Sequence, residues 1–364
     1  MRITTVPVPG YEKVVQAEDE NTGLRAYIAV HSTALGPALG GMRMWPFKTA
    51  DEALTDVLRL AKGMTYKSAV ADTGLGGGKS VIVGDPRKEK TPALVRAMGK
   101  FVDSLDGLYI TAEDVGTTTE DMVEIAGVTR WVTGLPREKG GSGNPAPSTA
   151  LGTFLGLKAT VEERLGRQNL KGLTIAVQGL GQVGFRFAEM LHSEGAKLIV
   201  ADIARERVDD AVRRFAAVAC TDEEIFGAAC DVFAPCALGG ILNDGTIPKL
   251  RCAVVAGCAN NQLLESRHGD DLQKRGVLYA PDFVINAGGI INVSLELEPG
   301  GYDPEKARRK IQNIPRALKQ IYQLGKREKI ATHAAADRLA EERLQAKKKV
   351  LSPVTGTGHR GGKS

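Results

Sequence analysis

One segment of about thirty residues constrains the fold of this chain more than any other. An apolar run at residues 174–178 leads into the sequence GLGQVG at residues 179–184, which opens a helical pattern, and a second apolar run ends at Asp202. A strand, a glycine-rich turn, a helix and a second strand in this order form a βαβ unit, whose strands lie parallel in one sheet. The segment therefore predicts a doubly wound parallel sheet with helices on both faces.

The glycines of this segment have the spacing of a dinucleotide-binding turn. Gly179 permits the tight turn, Gly181 lets the backbone approach a pyrophosphate at the helix N-terminus, and Gly184 lets the helix lie close to the sheet. Asp202 can accept hydrogen bonds from the ribose hydroxyls and would repel a 2′-phosphate, which favours NAD, although two arginines shortly after it leave NADP open. The predicted NAD site comprises Gly179, Leu180, Gly181, Gln182, Val183, Gly184 and Asp202.

A chain of 364 residues is long enough for two domains. Turn-forming residues are concentrated at residues 140–147, which we interpret as a hinge between domains. Beyond it, apolar runs at residues 197–200, 232–234, 253–256 and 277–280 are typical of parallel strands that are covered on both faces.

Charged amphipathic stretches at residues 304–327 and 332–347 predict two closing helices. The predicted architecture is a two-domain α/β protein with a cleft between a mixed α/β domain and a Rossmann-type domain. The expected limits are a catalytic and oligomerisation domain at 1–143, the NAD-binding domain at 144–330, a returning helix at 331–346 and a basic, disordered tail at 347–364.

Composition argues against several functional classes. Basic residues number 48 and acidic residues 43, but residues 343–364 contain six basic residues and no acidic one, so residues 1–342 have a net charge of −1. With this nearly neutral charge, residues 1–342 lack the clustered cations that nucleic-acid binding requires. No apolar run approaches the ~18 residues of a membrane span, and residues 1–15 lack the layout of a signal peptide, so we expect a cytoplasmic protein.

Residues that commonly bind metal ions form no ligand pattern in the sequence. The five histidines are scattered. The cysteines, at positions 220, 230, 236, 252 and 258, are odd in number and show no closely spaced pair. We therefore expect buried free thiols and no metal site.

Two lysines flank a glycine-rich segment in the first half of the chain. A capping box at residues 49–52, followed by apolar residues at helical spacing, predicts a helix to about Gly63, which leads to Lys67. Residues 74–79, GLGGGK, predict a turn before a strand at 81–83. A P-loop is excluded, because Thr73 replaces its first glycine and the order of strand and helix is reversed.

If both lysines faced one cleft, their mutual repulsion and partial burial would lower the pKa of one of them toward neutrality. That lysine could then act as a base while the other binds a carboxylate. Asp114, which follows a predicted strand near residues 108–111, could carry the proton. Spacing alone leaves solvated lysines and a turn-capping aspartate as alternatives.

Nine segments in collinear order carry a further signal, namely LGGMRM at 39–44, GMTYK at 63–67, GGGK at 76–79, TAEDVGT at 111–117, SGNP at 142–145, VQG at 177–179, APCALG at 234–239, ANNQL at 259–263 and APDFVINAGG at 280–289. With them the chain resembles the leucine, phenylalanine, valine and glutamate dehydrogenase family, and most closely its leucine branch. The resemblance extends over about residues 20–345.

This resemblance implies roles for individual residues. Lys67 would bind the substrate carboxylate, Lys79 would activate a water molecule, and Asp114 would shuttle protons to and from the amino group. Gly40, Gly41 and Asn261 would also line the substrate site. Thr149 would hold the nicotinamide amide, with Asn260, Cys236 and Ala237 beside it.

The resemblance also implies the reaction, a reversible NAD-dependent oxidative deamination of an L-amino acid. The substrate pocket would be lined by Leu39, Ala112, Ile290 and Val293. Because Leu39 occupies the position of a cation in the glutamate branch, a branched-chain substrate is expected, with leucine first. One methylene in such a pocket is worth only ~1–3 kcal/mol, so valine, isoleucine and aromatic amino acids stay open, as does a non-catalytic NAD-binding relative.

Two further expectations follow from the resemblance. A symmetric homo-oligomer, between a dimer and an octamer, is expected. Asp72 departs from the less acidic turn that is usual in the leucine branch, and it would counter the lysine pair if it faced the cleft.

Overall fold

The computed structural model, which describes residues 1–351 and the side chains of residues 1–347, contains two six-stranded sheets. The first sheet consists of β1 (Arg2–Thr5), β2 (Lys13–Asp19), β3 (Leu24–Ser32), β4 (Ala38–Trp45), β5 (Gly76–Val83) and β6 (Tyr109–Glu113). Their spatial order is β1-β2-β3-β5-β4-β6, in which β4 is parallel to both of its neighbours and the other pairs are antiparallel. The predicted mixed α/β character of this half is confirmed.

Three helices cover this sheet, namely α1 (Ala50–Ala71), α2 (Pro92–Asp103) and α3 (Thr119–Ala126). Thr49 caps α1 by accepting a hydrogen bond from the amide of Glu52. The helix was predicted to end at about Gly63, but it continues for two more turns to Ala71. A single glycine weakens a helix by only ~1 kcal/mol, and burial against the sheet outweighs that loss. Lys67 therefore lies on the helix itself.

The glycine-rich segment at residues 74–79 is not the predicted turn, because β5 already begins at Gly76. A side chain at Gly77 would overlap the backbone of Thr65 on α1, and one at Gly78 would come within 2.7 Å of the Tyr109 ring. Helix α1 can pack this closely on β5 only because Gly77 lacks a Cβ, and Tyr109 fits beside the strand because Gly78 lacks one. Lys79 consequently projects from the middle of a strand.

The second sheet is entirely parallel. Its strands are β7 (Thr174–Gln178), β8 (Lys197–Ala201), β9 (Val218–Ala219), β10 (Val232–Pro235), β11 (Val254–Val255) and β12 (Leu278–Tyr279). The order β12-β11-β10-β7-β8-β9 reverses direction beside β7, as in a doubly wound sheet. The predicted fold class and five of these strands are confirmed, and β9 was not predicted.

The helices of this half precede its first strand, connect its strands or follow its last strand. They are α4 (Ala146–Leu165), α5 (Gln182–Ser193), α6 (Arg205–Phe215), α7 (Arg267–Lys274), α8 (Asp282–Ile285), α9 (Gly288–Ser294), α10 (Pro304–Ile311), α11 (Ile314–Glu328) and α12 (Thr332–Leu351). The stretch at 304–327, predicted as one helix, is divided before Pro315, which begins α11 as a first-turn proline.

The last helix packs on the first half of the chain. Arg343 on α12 donates hydrogen bonds to the carbonyl oxygens of Ala69 and Val70 at the end of α1, at 3.1 and 2.7 Å, and Tyr66 donates to Glu341 at 2.8 Å. No helix among the described residues is long and apolar enough to cross a membrane. The predicted tail lies largely outside the described residues, and the domain limits stay predictions.

Candidate active site

A cleft of about 360 Å3 is lined by residues of both halves of the chain. In the register of the first sheet, Gly41 on β4 lies beside Ala112 on β6 and beside Lys79 on β5. All ten residues predicted for catalysis and substrate binding line this cleft, namely Lys79, Asp114, Lys67, Leu39, Gly40, Gly41, Ala112, Asn261, Ile290 and Val293. Residues up to 254 positions apart in sequence are thus brought together.

Three charged side chains form one connected group in the cleft. Lys79 Nζ donates to Asp114 Oδ2 at 2.8 Å, and Arg43 Nε donates to the same oxygen at 3.1 Å. Arg43 is held in turn by Asp56, 3.0 Å from its Nη1. Burial disfavours the ionised form of Asp114, but the charges of Lys79 and Arg43 outweigh burial and lower the pKa of Asp114. Asp114 is therefore held as a carboxylate.

Lys67 projects from α1 into the same cleft. Its Nζ donates to Asn286 Oδ1 at 2.7 Å, and Asn286 Nδ2 donates to the carbonyl oxygen of Cys258 and to Asn260 Oδ1. Burial lowers the pKa of Lys67 to about 8; Asp282 opposes this shift, and Lys79 adds to it. The lysine with a lowered pKa is thus the one to which the resemblance gives carboxylate binding.

Arg43, Asp282 and Asn286 were not predicted as site residues. Asp282 is half-buried, and desolvation raises its pKa even though the amides of Gln262 and Phe283 donate to its carboxylate. The signal was present, because all three lie within segments that carried the resemblance. The resemblance assigned no role to these residues, because Arg43 and Asn286 contact Asp114 and Lys67, which are distant from them in sequence.

An apolar pocket adjoins the charged groups. The four predicted pocket residues Leu39, Ala112, Ile290 and Val293 are all buried. Met64 and Phe283, which were not predicted, contribute further apolar surface to the cleft. The cleft can therefore take up a side chain without charge next to ammonium groups that suit a carboxylate.

The dinucleotide fingerprint has the geometry that its glycines predict. Gly179 has a φ of +99°, and a Cβ there would come within 2.7 Å of the Ala237 amide. A side chain at Gly184 would overlap the carbonyl oxygen of Gly179. At Gly181, by contrast, a Cβ would contact nothing within 4 Å, and none of the described side chains caps the N-terminus of α5. The free space above unpartnered amides fits a pyrophosphate.

The other predicted cofactor residues surround this turn. Asp202 accepts hydrogen bonds from the amides of Leu180 at 2.6 Å and Ala204 at 2.8 Å, and Arg207 lies 3.8 Å from it. Thr149, Val183 and Asn260 line the cleft, whereas Cys236 and Ala237 pack against Gly179. Gln182 accepts from Asn144 at 2.8 Å. The residues present therefore fit a nicotinamide dinucleotide that reaches from α5 into the cleft.

Other expectations need correction. The five thiols are free, but only Cys258 is buried and the other four are half-buried. Asp72 does not line the cleft; it ends α1 in the left-handed conformation, with a φ of 52°.

Asp244, His268 and Asp271 cluster at metal-binding distances. His268 Nδ1 accepts from the Glu265 amide, so its proton lies on Nε2, the atom that faces Asp244, and Nε2 is no ligand.

The sequence and the fold resemble those of known proteins. Residues 11–131 match the family described as Glu/Leu/Phe/Val dehydrogenase, dimerisation domain, and residues 200–350 match Glutamate/Leucine/Phenylalanine/Valine dehydrogenase. Leucine dehydrogenase of Geobacillus stearothermophilus is 53% identical, with 96% of this chain and 95% of that protein aligned. Phenylalanine dehydrogenase of Caldalkalibacillus thermarum is 47% identical, with the same shares covered. The crystal structure of L-tryptophan dehydrogenase from Nostoc punctiforme has a TM-score of 0.81 and 45% identity, over 93% of this chain and 97% of that chain.

Proposed function

Since the chain belongs to the glutamate, leucine, phenylalanine and valine dehydrogenase family, we propose that it catalyses the reversible NAD-dependent oxidative deamination of a branched-chain L-amino acid, with leucine as the best substrate. The chain is an amino acid dehydrogenase, an oxidoreductase that uses a nicotinamide cofactor. The observation that carries the proposal is that Lys67, Lys79 and Asp114 line one cleft together with an apolar pocket.

Lys67 binds the α-carboxylate of the substrate in this proposal. Asn286 fixes its Nζ at 2.7 Å, so the ammonium group is positioned before the substrate arrives. With a pKa of about 8, Lys67 is mostly protonated at neutral pH, and a bound carboxylate stabilises the protonated form further. The substrate thus supplies a negative charge in direct contact with this half-buried ammonium group.

Lys79 and Asp114 handle the protons of the reaction. Bound NAD would accept a hydride from Cα of the amino acid, which leaves an imine. Lys79 first passes a proton to Asp114 and, in its neutral form, takes a proton from the water molecule that adds to the imine carbon. Asp114 transfers protons to and from the nitrogen, so that ammonia leaves and the 2-oxo acid is formed. The 2.8 Å contact between Lys79 and Asp114 allows direct proton transfer.

The cofactor is proposed to be NAD rather than NADP. The turn from Gly179 to Gly184 would hold the pyrophosphate, and Asp202 would bind the ribose of the adenosine half. Thr149, Asn260 and the backbone of Cys236 and Ala237 would surround the nicotinamide half. A 2′-phosphate would meet the carboxylate of Asp202, and its repulsion disfavours NADP.

An aromatic L-amino acid is the second candidate substrate. Proteins named phenylalanine and tryptophan dehydrogenase are 47% and 45% identical to this chain, which is close to the value of the leucine enzyme. The buried Ile290 and Ala112 favour a branched aliphatic side chain, because a β-branched residue narrows the pocket for a ring. A difference in pocket shape of this kind changes the free energy of discrimination between two substrates by only ~1–3 kcal/mol.

The test is the rate of NADH formation, followed at alkaline pH with leucine, isoleucine, valine, phenylalanine, tryptophan and glutamate. Leucine should give the highest kcat/KM. A higher value for an aromatic amino acid would replace leucine in the proposal, and no NADH from any of them, despite NAD binding, would leave a non-catalytic NAD-binding protein.

The Lys79→Ala variant tests the catalytic assignment in the same assay. Turnover should be lost while the Kd for NADH stays near that of the wild type, because Lys79 lies on the first sheet and not at the fingerprint. The exposed Lys100 provides the matched control, since Lys100→Ala should keep full activity. Undiminished turnover in Lys79→Ala would refute the assignment.

We also propose that the chain acts as a homo-oligomer, in line with the dimerisation domain matched by residues 11–131. Size-exclusion chromatography with light scattering gives its number of subunits, and a monomer would contradict the proposal. The expected cytoplasmic location stays a prediction.

A further inference from the structure

A second cavity, of about 560 Å3, shares two walls with the substrate cleft. On α1, Lys67 faces the cleft while Val70 lines the second cavity. Over α9 and the two residues before it, Asn286 and Ile290 face the cleft while Ala287 and Ile291 line the cavity. Most of the remaining lining comes from the last three helices. The cavity is therefore a separate space behind the substrate site.

The rim of this cavity carries an excess of positive charge. Four cations, Lys310, Arg316, Arg343 and Lys347, line it together with one carboxylate, that of Asp72. Lys310 pairs with Glu298 at 2.8 Å, a carboxylate that it shares with Lys306. The other three basic side chains form no ion pair with any carboxylate among residues 1–347.

Arg316 and Arg343 illustrate the imbalance. The guanidinium of Arg343 donates only to uncharged oxygens, those of the Ala69 and Val70 carbonyls and of the Gln320 side chain. The exposed side chain of Arg316 makes no hydrogen bond within the described part of the chain. Burial lowers the pKa of Arg343, and the repulsion from Arg316 lowers it further against the opposing effect of Asp72. An anion in the cavity would relieve this repulsion.

We propose that the cavity binds a small polyanion, a molecule with at least two negative charges on phosphate or carboxylate groups. Its volume lies within the range of small-molecule sites, and its apolar floor of Val70, Val284, Ala287 and Ile291 can hold a carbon skeleton.

Binding in the cavity is coupled to the substrate site through α1. Arg343 holds the last carbonyl groups of α1, and Lys67 lies only two residues before Ala69. A polyanion competes for the guanidinium of Arg343 and so loosens the last turn of α1. The position of Lys67 becomes less fixed, and the KM for the amino acid rises. This coupling, unlike the binding itself, rests on the proposed function.

Isothermal titration calorimetry on the full chain tests the site, with inorganic pyrophosphate and citrate as separate probes. Pyrophosphate can also occupy the N-terminus of α5, so each titration is repeated with one equivalent of NADH. Arg316→Gln removes an unpaired cation from the cavity. Lys319→Gln removes the same charge from the same helix, where Lys319 pairs with Glu162 outside the cavity.

At least one probe should bind to the wild type with NADH present. Its Kd should be about 10- to 100-fold higher for Arg316→Gln and unchanged for Lys319→Gln. Binding of pyrophosphate alone identifies phosphate groups as the ligand chemistry, and binding of citrate alone identifies carboxylates. The site does not exist if neither probe binds, or if Arg316→Gln binds as tightly as the wild type.

The coupling is measured as the KM for the amino acid with and without the bound probe. It should rise about fivefold or more in the wild type and stay constant in Arg316→Gln. An unchanged KM with intact binding refutes the coupling but not the site. If no amino acid is oxidised at all while the probe still binds, the proposed function fails and the cavity site stands.

Discussion

Replacing Lys67 by methionine is expected to stabilise the fold at neutral pH while it removes amino acid binding. The pKa of Lys67 falls from its ordinary value of 10.5 to about 8, chiefly through burial. At 1.36 kcal/mol for each pH unit, keeping this group charged in the folded chain costs ~3 kcal/mol. Methionine has a similar length and carries no charge, so it avoids that cost.

The lost hydrogen bond to Asn286 offsets part of this gain. Asn286 Oδ1, which accepts from Lys67 at 2.7 Å, loses its partner, at a cost of ~1–2 kcal/mol. We therefore expect a net stabilisation of ~1–2 kcal/mol at pH 7, or a few degrees in Tm.

The pH dependence gives the sharper test. Between pH 8 and 10.5 the unfolded chain keeps the proton on Lys67 and the folded chain releases it, so the stability of the wild type rises with pH in this window. The advantage of Lys67→Met should be full below pH 8 and disappear toward pH 10.5. Thermal unfolding of both proteins from pH 7 to 10.5 measures it, with Lys100→Met as an exposed control. A difference in Tm that stays constant over this range would refute the reasoning.

Three further substitutions test the cofactor turn and the proton path. Arg43→Gln removes a cation 3.1 Å from Asp114, so the pKa of Asp114 should rise and the acidic limb of the kcat profile should move to higher pH, whereas Arg96→Gln, at an exposed ion pair, should leave the profile unchanged. Asp202→Asn should raise the ratio of kcat/KM for NADP over NAD about tenfold, and an unchanged ratio would contradict the ribose assignment. Gly181→Val places its side chain in open space, so Tm should hardly change while the Kd for NADH rises more than tenfold; tight NADH binding would show that the pyrophosphate lies elsewhere.

The parallel sheet could be predicted because its evidence is local. The positive φ at Gly179, the free space at Gly181 and the close packing of Gly184 on the carbonyl oxygen of Gly179 are properties of six consecutive residues. The glycines of β5 were misinterpreted because the contacts that explain them are not local. Glycine indicates a turn when only neighbours in sequence are considered, but at Gly77 the limiting contact is Thr65 on α1, twelve residues earlier.

The candidate site was predicted more completely than its supporting residues. The resemblance placed Lys67, Lys79 and Asp114 together, and they line one cleft. Arg43 and Asn286 act on them from 71 and 219 residues away, and no spacing in the sequence encodes such contacts. Which side chain holds another depends on packing of α1 and α8 against the sheets, a tertiary property.

The two halves of the cleft differ in how their charges are balanced, and the difference defines what the site lacks. The carboxylate of Asp114 is shared by two cations, so the proton path is already stabilised without a substrate. Among the described residues, Lys67 has only a neutral amide as its direct hydrogen-bond partner, while burial raises the pKa of nearby Asp282. A desolvated ammonium group with this environment gains most from an anion that enters from outside. The α-carboxylate common to all amino acids meets that need, so Lys67 contributes affinity for the class while the apolar pocket decides between its members.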